Sequence, residues 1–131
     1  MKSVVPDVPT SLRVFFIVHF AIDIVIAIPL LFFPVDFLEY FGWELVDPVT
    51  SRIVAAALFG IGVESFIGSR ASNESFLSLL NLKIVWSAAV VIGILISMSE
   101  MSWDVPAFLW LVLGIFVVFN GVWSYWRIKL I

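Results

Sequence analysis

No cysteine occurs anywhere in the chain, and His19 is its only histidine. The first absence excludes a disulfide framework, a thiolate metal site and Cys-x-x-Cys redox chemistry. The second excludes haem held between two histidines of one chain. Charge is scarce as well. Asp, Glu, Lys and Arg make up 13% of the 131 residues, against about 25% in a soluble domain. No basic cluster is present, so nucleic acid is not an expected partner. The formal charge of −3 carries little meaning by itself, because the charges are segregated along the chain.

Apolar side chains take the space instead. They form 63% of the sequence, with a mean hydropathy of +1.16, and they gather into four segments. The expected fold class is all-α: an integral membrane four-helix bundle with a short interfacial helix between helices 1 and 2. The expected helices cover residues 12–33, 48–69, 77–97 and 105–125 of a single transmembrane domain, residues 1–131. Each is close to the ~20 residues that cross a hydrocarbon core. The first segment is expected to be retained rather than cleaved as a secretory signal. Lys2 could serve as a basic leader, but Pro6 and Pro9 follow it, His19 and Asp23 interrupt the apolar run, and no small-x-small cleavage site comes after.

Punctuation residues place the ends. Thr10 or Ser11 can cap the first helix, Pro29 should kink it, and Pro34 should end it. Residues 34–46 alternate Phe37, Leu38, Tyr40, Phe41 and Trp43 with Asp36, Glu39 and Glu44. This stretch is too short and too charged to span, and suits the headgroup level. Gly42 is the expected stop. Asp47-Pro48 then reads as N-cap and first helical residue. Residues 70–76 and 98–104 read as turns, with Asp104 capping the last helix and Pro106 in its first turn.

Six of the seven basic residues (Lys2, Arg13, Arg70, Lys83, Arg127 and Lys129) fall on one side of this scheme, and Arg52 alone on the other. The positive-inside rule then places both termini in the cytoplasm of a multi-pass protein of the cytoplasmic membrane. Trp43 and Trp103 mark the outer interface, and Trp123, Tyr125 and Trp126 the inner one.

The second segment organises the rest. Its row Arg52, Ala56, Gly60, Glu64, Gly68 has one residue every four, on one side of a helix. Three small residues beside a carboxylate suit a close helix contact in lipid. Counting ~1.5 Å per residue from the basic flanks puts His19, Glu64, Lys83 and Asn120 at one depth, about 9–10 Å in from the cytoplasmic edge. Asp23 lies one turn deeper on the face of His19. Intramembrane ionisable groups mark functional sites by default. The candidates for a ligand or proton site are therefore His19, Asp23, Glu64, Lys83 and Asn120, with Arg52 at the outer edge.

Two readings of this layer stand side by side. A Lys83–Glu64 pair, with His19 and Asn120 as hydrogen-bond partners, could simply fix helix register. Lys83 could also extend to the interface and leave Glu64 to His19. Alternatively the layer binds a ligand, ion or proton, and Asp23 favours this, because no basic partner is obvious at its own depth. His19, Asp23 and Glu64 would suit a metal by ligand type, but His and Asp four apart are a common helical pair, and neither metal nor cofactor is expected. Gly60-Ile-Gly62 is no phosphate loop, because it lies in an apolar helix with no Lys-Ser/Thr after it. No Ser/His/Asp set has the context for hydrolysis.

The order of a first helix, Pro-x-x-Phe-x-x-x-x-Gly at 34–42, Asp47-Pro48, Arg52 and a Gly-rich second helix resembles small four-helix membrane proteins of the DoxX-like type. The resemblance covers most of the chain and rests on topology. It implies a four-helix bundle in the cytoplasmic membrane and transfers no catalytic residue. The missing cysteines separate the chain from quinone-coupled thiol oxidoreductases of similar size. Small multidrug transporters also have four helices, and an acid in helix 1 that Asp23 could imitate. The long 34–51 loop and Glu64 depart from their pattern.

The leading functional expectation is non-enzymatic: a membrane protein that binds or transports a small molecule or ion. The runner-up is an intramembrane enzyme acting on a lipid-soluble substrate, with Glu64 or Asp23 as general acid/base and His19 as its partner. The third is an accessory subunit whose polar layer only sets register. The expected partners are the lipid bilayer, a small-molecule or ion ligand, and further copies or other subunits in a membrane complex.

Overall fold

A computed structural model describes residues 7–131; Lys2 and Pro6, invoked above, lie outside the described residues. The described chain is helical throughout, with no strand. Four of its five helices are long and apolar enough to cross a membrane. The all-α membrane class expected from composition is what the chain adopts. The helices group into two compact units that meet in sequence at Ser72 and Asn73.

The first unit contains α1 (Thr10–Phe32), α2 (Pro34–Tyr40) and α3 (Pro48–Gly68). α1 is not capped by Thr10 or Ser11. Pro9 occupies the cap position without a side-chain hydrogen bond, and its carbonyl accepts from Leu12 N at 3.1 Å and Arg13 N at 3.3 Å. Thr10 is already helical, so its hydroxyl is not placed to cap. α1 continues through Pro29 and ends at Phe32. Pro34 ends it in the expected way, but also opens α2 as a first-turn proline, a position where its missing N–H costs nothing.

α2 is shorter than the 34–46 stretch because Gly42 stops it. Gly42 has φ 85°, its N–H donates to the Glu39 carbonyl at 2.9 Å, and Trp43 N–H donates to the Leu38 carbonyl at 3.0 Å. This crossed pair satisfies the last carbonyls of the helix and requires the left-handed conformation that glycine adopts without strain. Asp47 then caps α3 as expected, accepting from Val49 N at 3.0 Å and from the Thr50 hydroxyl. Those bonds, the Thr50 hydroxyl first, hold the exposed Asp47 carboxyl below its ordinary range.

α1 and α3 pack against each other. The buried residues of α1 are Leu12, Phe16, His19, Asp23, Ala27 and Leu30, and those of α3 are Ala55, Leu58, Gly62, Ser65 and Gly68. Steps of three and four along both helices make a narrow seam of the coiled-coil kind. Contacts that climb α1 descend α3. Arg13 Nη1 donates to the Ser69 carbonyl at 2.7 Å and to that of Ala71 at 3.3 Å, His19 meets Ser65, and Arg52 Nε donates to the Leu31 carbonyl at 3.0 Å. The pair is therefore antiparallel.

The second unit is a second hairpin, α4 (Asn73–Glu100) and α5 (Ala107–Lys129). α4 is longer than the expected 77–97. Asn73, Glu74 and Ser75 begin the helix rather than a turn, and Glu74 in the first turn faces the positive end of the helix dipole. At the other end Ser99 Oγ bonds back to the Ile96 carbonyl at 3.0 Å, which lets serines continue the helix. With 28 residues α4 is about 42 Å long, beyond the ~30 Å a hydrocarbon core needs. Its exit passes through Ser102 and Trp103, both left-handed at φ 54° and 62°, and the Trp103 ring then stacks on Trp110 at 6.2 Å. Asp104 is not the cap of α5. Its N–H belongs to that exit turn, donating to the Met101 carbonyl at 3.1 Å, and Pro106 takes the cap position. α5 runs past Tyr125 to Lys129, with Arg127 and Lys129 complementing the negative end of the helix.

Candidate functional site

Three polar side chains of the first unit converge near mid-span. His19 and Asp23 are one turn apart on α1, so their side chains share a face. His19 Nδ1 lies 3.0 Å from Asp23 Oδ2 and 3.3 Å from Ser65 Oγ of α3. Ser65 Oγ donates its own hydrogen to the Ile61 carbonyl at 2.7 Å. All three residues are buried, His19 at 8% exposure, Asp23 at 5% and Ser65 at 1%. Asp23 lies thirteen residues into α1, about 20 Å along a helix of about 35 Å.

Gly62 makes room for this pair. A Cβ added there would meet Asp23 Cβ at 2.8 Å and Asp23 Oδ2 at 3.4 Å, so the α3 backbone passes directly against the carboxylate's stem. Gly60, the glycine expected at the close contact, has nothing within 4 Å of the same construction. The expected contact row is corrected accordingly. Arg52, Ala56, Gly60 and Glu64 are exposed, and only Gly68 of that row is buried. Glu64 is at the level of His19, as its neighbour Ser65 shows, but points about 100° away from the seam.

Arg52 is not directed at Asp23. Its Nε is committed to the Leu31 carbonyl, eight residues beyond Asp23, while His19 lies beside that acid. Sequence reading placed His19 and Asp23 together but missed Gly62 and Ser65. The available signal was the three-and-four spacing of Ala55, Leu58, Gly62 and Ser65, which matches the step of three and then four from Phe16 through His19 to Asp23.

Lys83 and Asn120 belong to the second unit. Asn120 Nδ2 of α5 donates to Ser87 Oγ at 2.8 Å and to the Ile84 carbonyl at 3.0 Å, while Ser87 Oγ donates to the Lys83 carbonyl at 2.7 Å. Lys83, exposed to only 3%, holds its Nζ 5.1 Å from the centroid of the Trp123 ring, in cation–π range. Closer to the helix ends, Arg127 Nε donates to Asn81 Oδ1 at 2.8 Å.

The two groups differ in chemistry. The second unit offers hydrogen-bonded amide and hydroxyl groups and a cation above an aromatic face. The first offers an acid and a base 3.0 Å apart, each of a type that can take up and release a proton. Among the described residues no three His, Asp or Glu side chains converge. No family model, curated protein or solved structure matches the chain.

Proposed function

We propose that this membrane protein binds a small molecule or ion through the buried acid–base pair of its first unit, with the proton as the species that His19 and Asp23 handle directly. One observation carries the reading: a histidine and an aspartate, both more than nine-tenths buried, touch at 3.0 Å in the middle of a helix able to span a membrane. An acid at the centre of a span costs about 2.5–3.5 kcal/mol to insert. Such groups persist where they pair and where they serve an ion or proton path. The DoxX-like resemblance agrees with this setting, a small four-helix protein of the cytoplasmic membrane. The segregation of the basic residues supports cytoplasmic termini.

The test is proton uptake by purified protein in lipid nanodiscs, measured across about pH 5 to 8, where histidine changes charge. Wild type should take up one more proton than a His19→Gln/Asp23→Asn double variant of equal helix content. In proteoliposomes, wild type should also dissipate an imposed pH gradient faster than the variant. Equal uptake and equal dissipation would defeat the proposal and leave the pair a structural contact between α1 and α3.

A further inference from the structure

Arg127 and Asn81 meet within the second unit, at the end of the hairpin where α4 begins and α5 finishes, and the chemistry of their contact is one-sided. Arg127 Nε donates to Asn81 Oδ1 at 2.8 Å. A guanidinium has only N–H donors, so the amide atom facing it must be the oxygen, and this settles which way the Asn81 amide is turned. Oδ1 is the one side-chain acceptor of the pair, and Arg127 uses it. What is left over is donors: the hydrogens on Asn81 Nδ2 and on both Nη atoms of Arg127. Among the described residues the guanidinium has no other hydrogen bond and no ion pair. Nη1 is buried without a partner and Asn81 is exposed, so the pair offers Nη2 and Nδ2 to its surroundings. No acid answers them nearby in sequence. α5 has no Asp or Glu, and Glu74, the nearest acid on α4, stands seven residues from Asn81, about 10 Å along the helix axis. One positive charge edged only with donors suits an anion.

We propose that Arg127 and Asn81 form a binding site for the phosphate of an anionic lipid. The level in the membrane selects a lipid as the source. With 23 residues α5 is about 35 Å long, beyond the ~30 Å of a hydrocarbon core. Arg127, two residues from its end, therefore stands among the headgroups, next in sequence to Tyr125 and Trp126, residue types enriched there. A phosphodiester fits the donors by type. Its two unesterified oxygens accept one hydrogen bond from Nη2 and one from Nδ2, and its charge offsets the guanidinium. A zwitterionic lipid brings a cationic group as well, for which the pair has no acid. The site accordingly prefers lipids of net negative charge. Lys129 holds its Nζ 5.7 Å from the centroid of the Tyr125 ring and adds to the positive field without belonging to the pair. The Nε–Oδ1 bond links α4 to α5; the site is what that link leaves unused. It is independent of the proton chemistry proposed for the first unit.

The test is native mass spectrometry of the full chain released from mixed micelles that hold phosphatidylglycerol and phosphatidylcholine at equal mole fraction. The two lipids differ in mass, so the one that stays bound is read directly. Wild type should retain the anionic lipid about fivefold over the zwitterionic one, the worth of one basic group near an anionic surface. Asn81→Asp is the sharpest variant. Its carboxylate still accepts from Arg127 Nε, so the link between α4 and α5 survives, but the Nδ2 donors and the net positive charge are gone. It should abolish the preference with helix content unchanged by circular dichroism. Arg127→Gln should abolish it too, and decides the matter should Asn81→Asp not fold. Lys129→Gln should keep most of it. Equal retention of the two lipids by wild type, or an undiminished preference in Asn81→Asp or Arg127→Gln, would overturn the proposal. So would Lys129→Gln losing as much as Arg127→Gln, because any charge at that level would then serve. Millimolar inorganic phosphate that strips the bound lipid from wild type would overturn the choice of a lipid over a free anion.

Discussion

Two glycines of α3, two residues apart, should respond oppositely to the same substitution. Gly62→Ala brings a Cβ to 2.8 Å from Asp23 Cβ, whereas Gly60→Ala meets nothing within 4 Å. Carbon atoms rest at about 3.5–4.0 Å, so the first variant must find about 1 Å. Asp23 Cβ is anchored to the α1 backbone, and the flexible end of the side chain cannot absorb the displacement. Helix or carboxylate must move. Both changes replace a mid-helix glycine by alanine, so the gain in helix propensity, about 0.5–1 kcal/mol each, cancels in the comparison. What remains is overpacking of about 1–3 kcal/mol against Gly62→Ala, about 5- to 150-fold in the folding equilibrium. Unfolding by increasing SDS fraction in mild micelles, followed by far-ultraviolet ellipticity, measures it. Gly60→Ala as destabilising as Gly62→Ala, or more so, would refute the packing of α3 on α1 described here.

In the second unit, Asn120→Leu should cost about 0.6–2 kcal/mol in the same unfolding assay, the range for a polar contact between membrane helices, because it strips hydrogen bonds to Ser87 and Ile84. Asp47→Ala should fray the start of α3, read as faster amide exchange at Val49 and Thr50. Because the folded-state carboxyl lies below its ordinary range, its contribution is complete above the unfolded pKa and lost as pH falls through the lowered folded value; the variant should therefore lack that part of the wild type's acid sensitivity. For topology, single cysteines at Glu44 or Glu100 should react with an impermeant thiol reagent added outside intact cells, and at Ser72 or Lys129 they should not. The reverse pattern would overturn cytoplasmic termini.

Much of this was legible in the residues. Run length and scarcity of charge gave four spans, because crossing a hydrocarbon core demands both. Asp47-Pro48 and Gly42 gave their helix ends because each supplies a local hydrogen bond or backbone conformation no neighbour can replace. Spacing alone put His19 beside Asp23. The phase of α3 was not legible. A helix apolar on every side has no polar stripe to tell its outer face from its inner one, and two rows of small residues compete. Gly60 and Ala56 suggest one row, Ala55, Gly62 and Ser65 the other. Glu64 drew attention to the wrong row because a carboxylate in an apolar run looks buried; at exposure on α3 it is one residue out of phase with the seam. The starts of α1 and α5 failed for a related reason. A proline one residue before each helix took the cap position, and capping side chains next to it were left inside or outside the helix.

Register is a structural need, and in the first unit contacts at both ends of the seam serve it. Between membrane helices an apolar seam has no advantage over lipid, so alignment falls to close packing and polar contacts. Arg13 ties one end of α1 to the carbonyls at the end of α3, and Arg52 ties the start of α3 to the last turn of α1. Those two clamps, with Gly62 seated on Asp23 Cβ, already fix how the helices slide. The His19–Asp23 contact itself runs along one helix. Ser65 of α3 meets that pair at His19 Nδ1, at 3.3 Å. The second unit is built the other way, since Asn120 to Ser87 and Arg127 to Asn81 both run from α5 to α4. Polar groups that cross between helices in the second unit are accounted for by assembly. In the first unit the acid and the base lie one turn apart on one helix at mid-span, against Ser65 and Gly62 of α3, and proton uptake by the double variant decides whether that placement serves chemistry or packing.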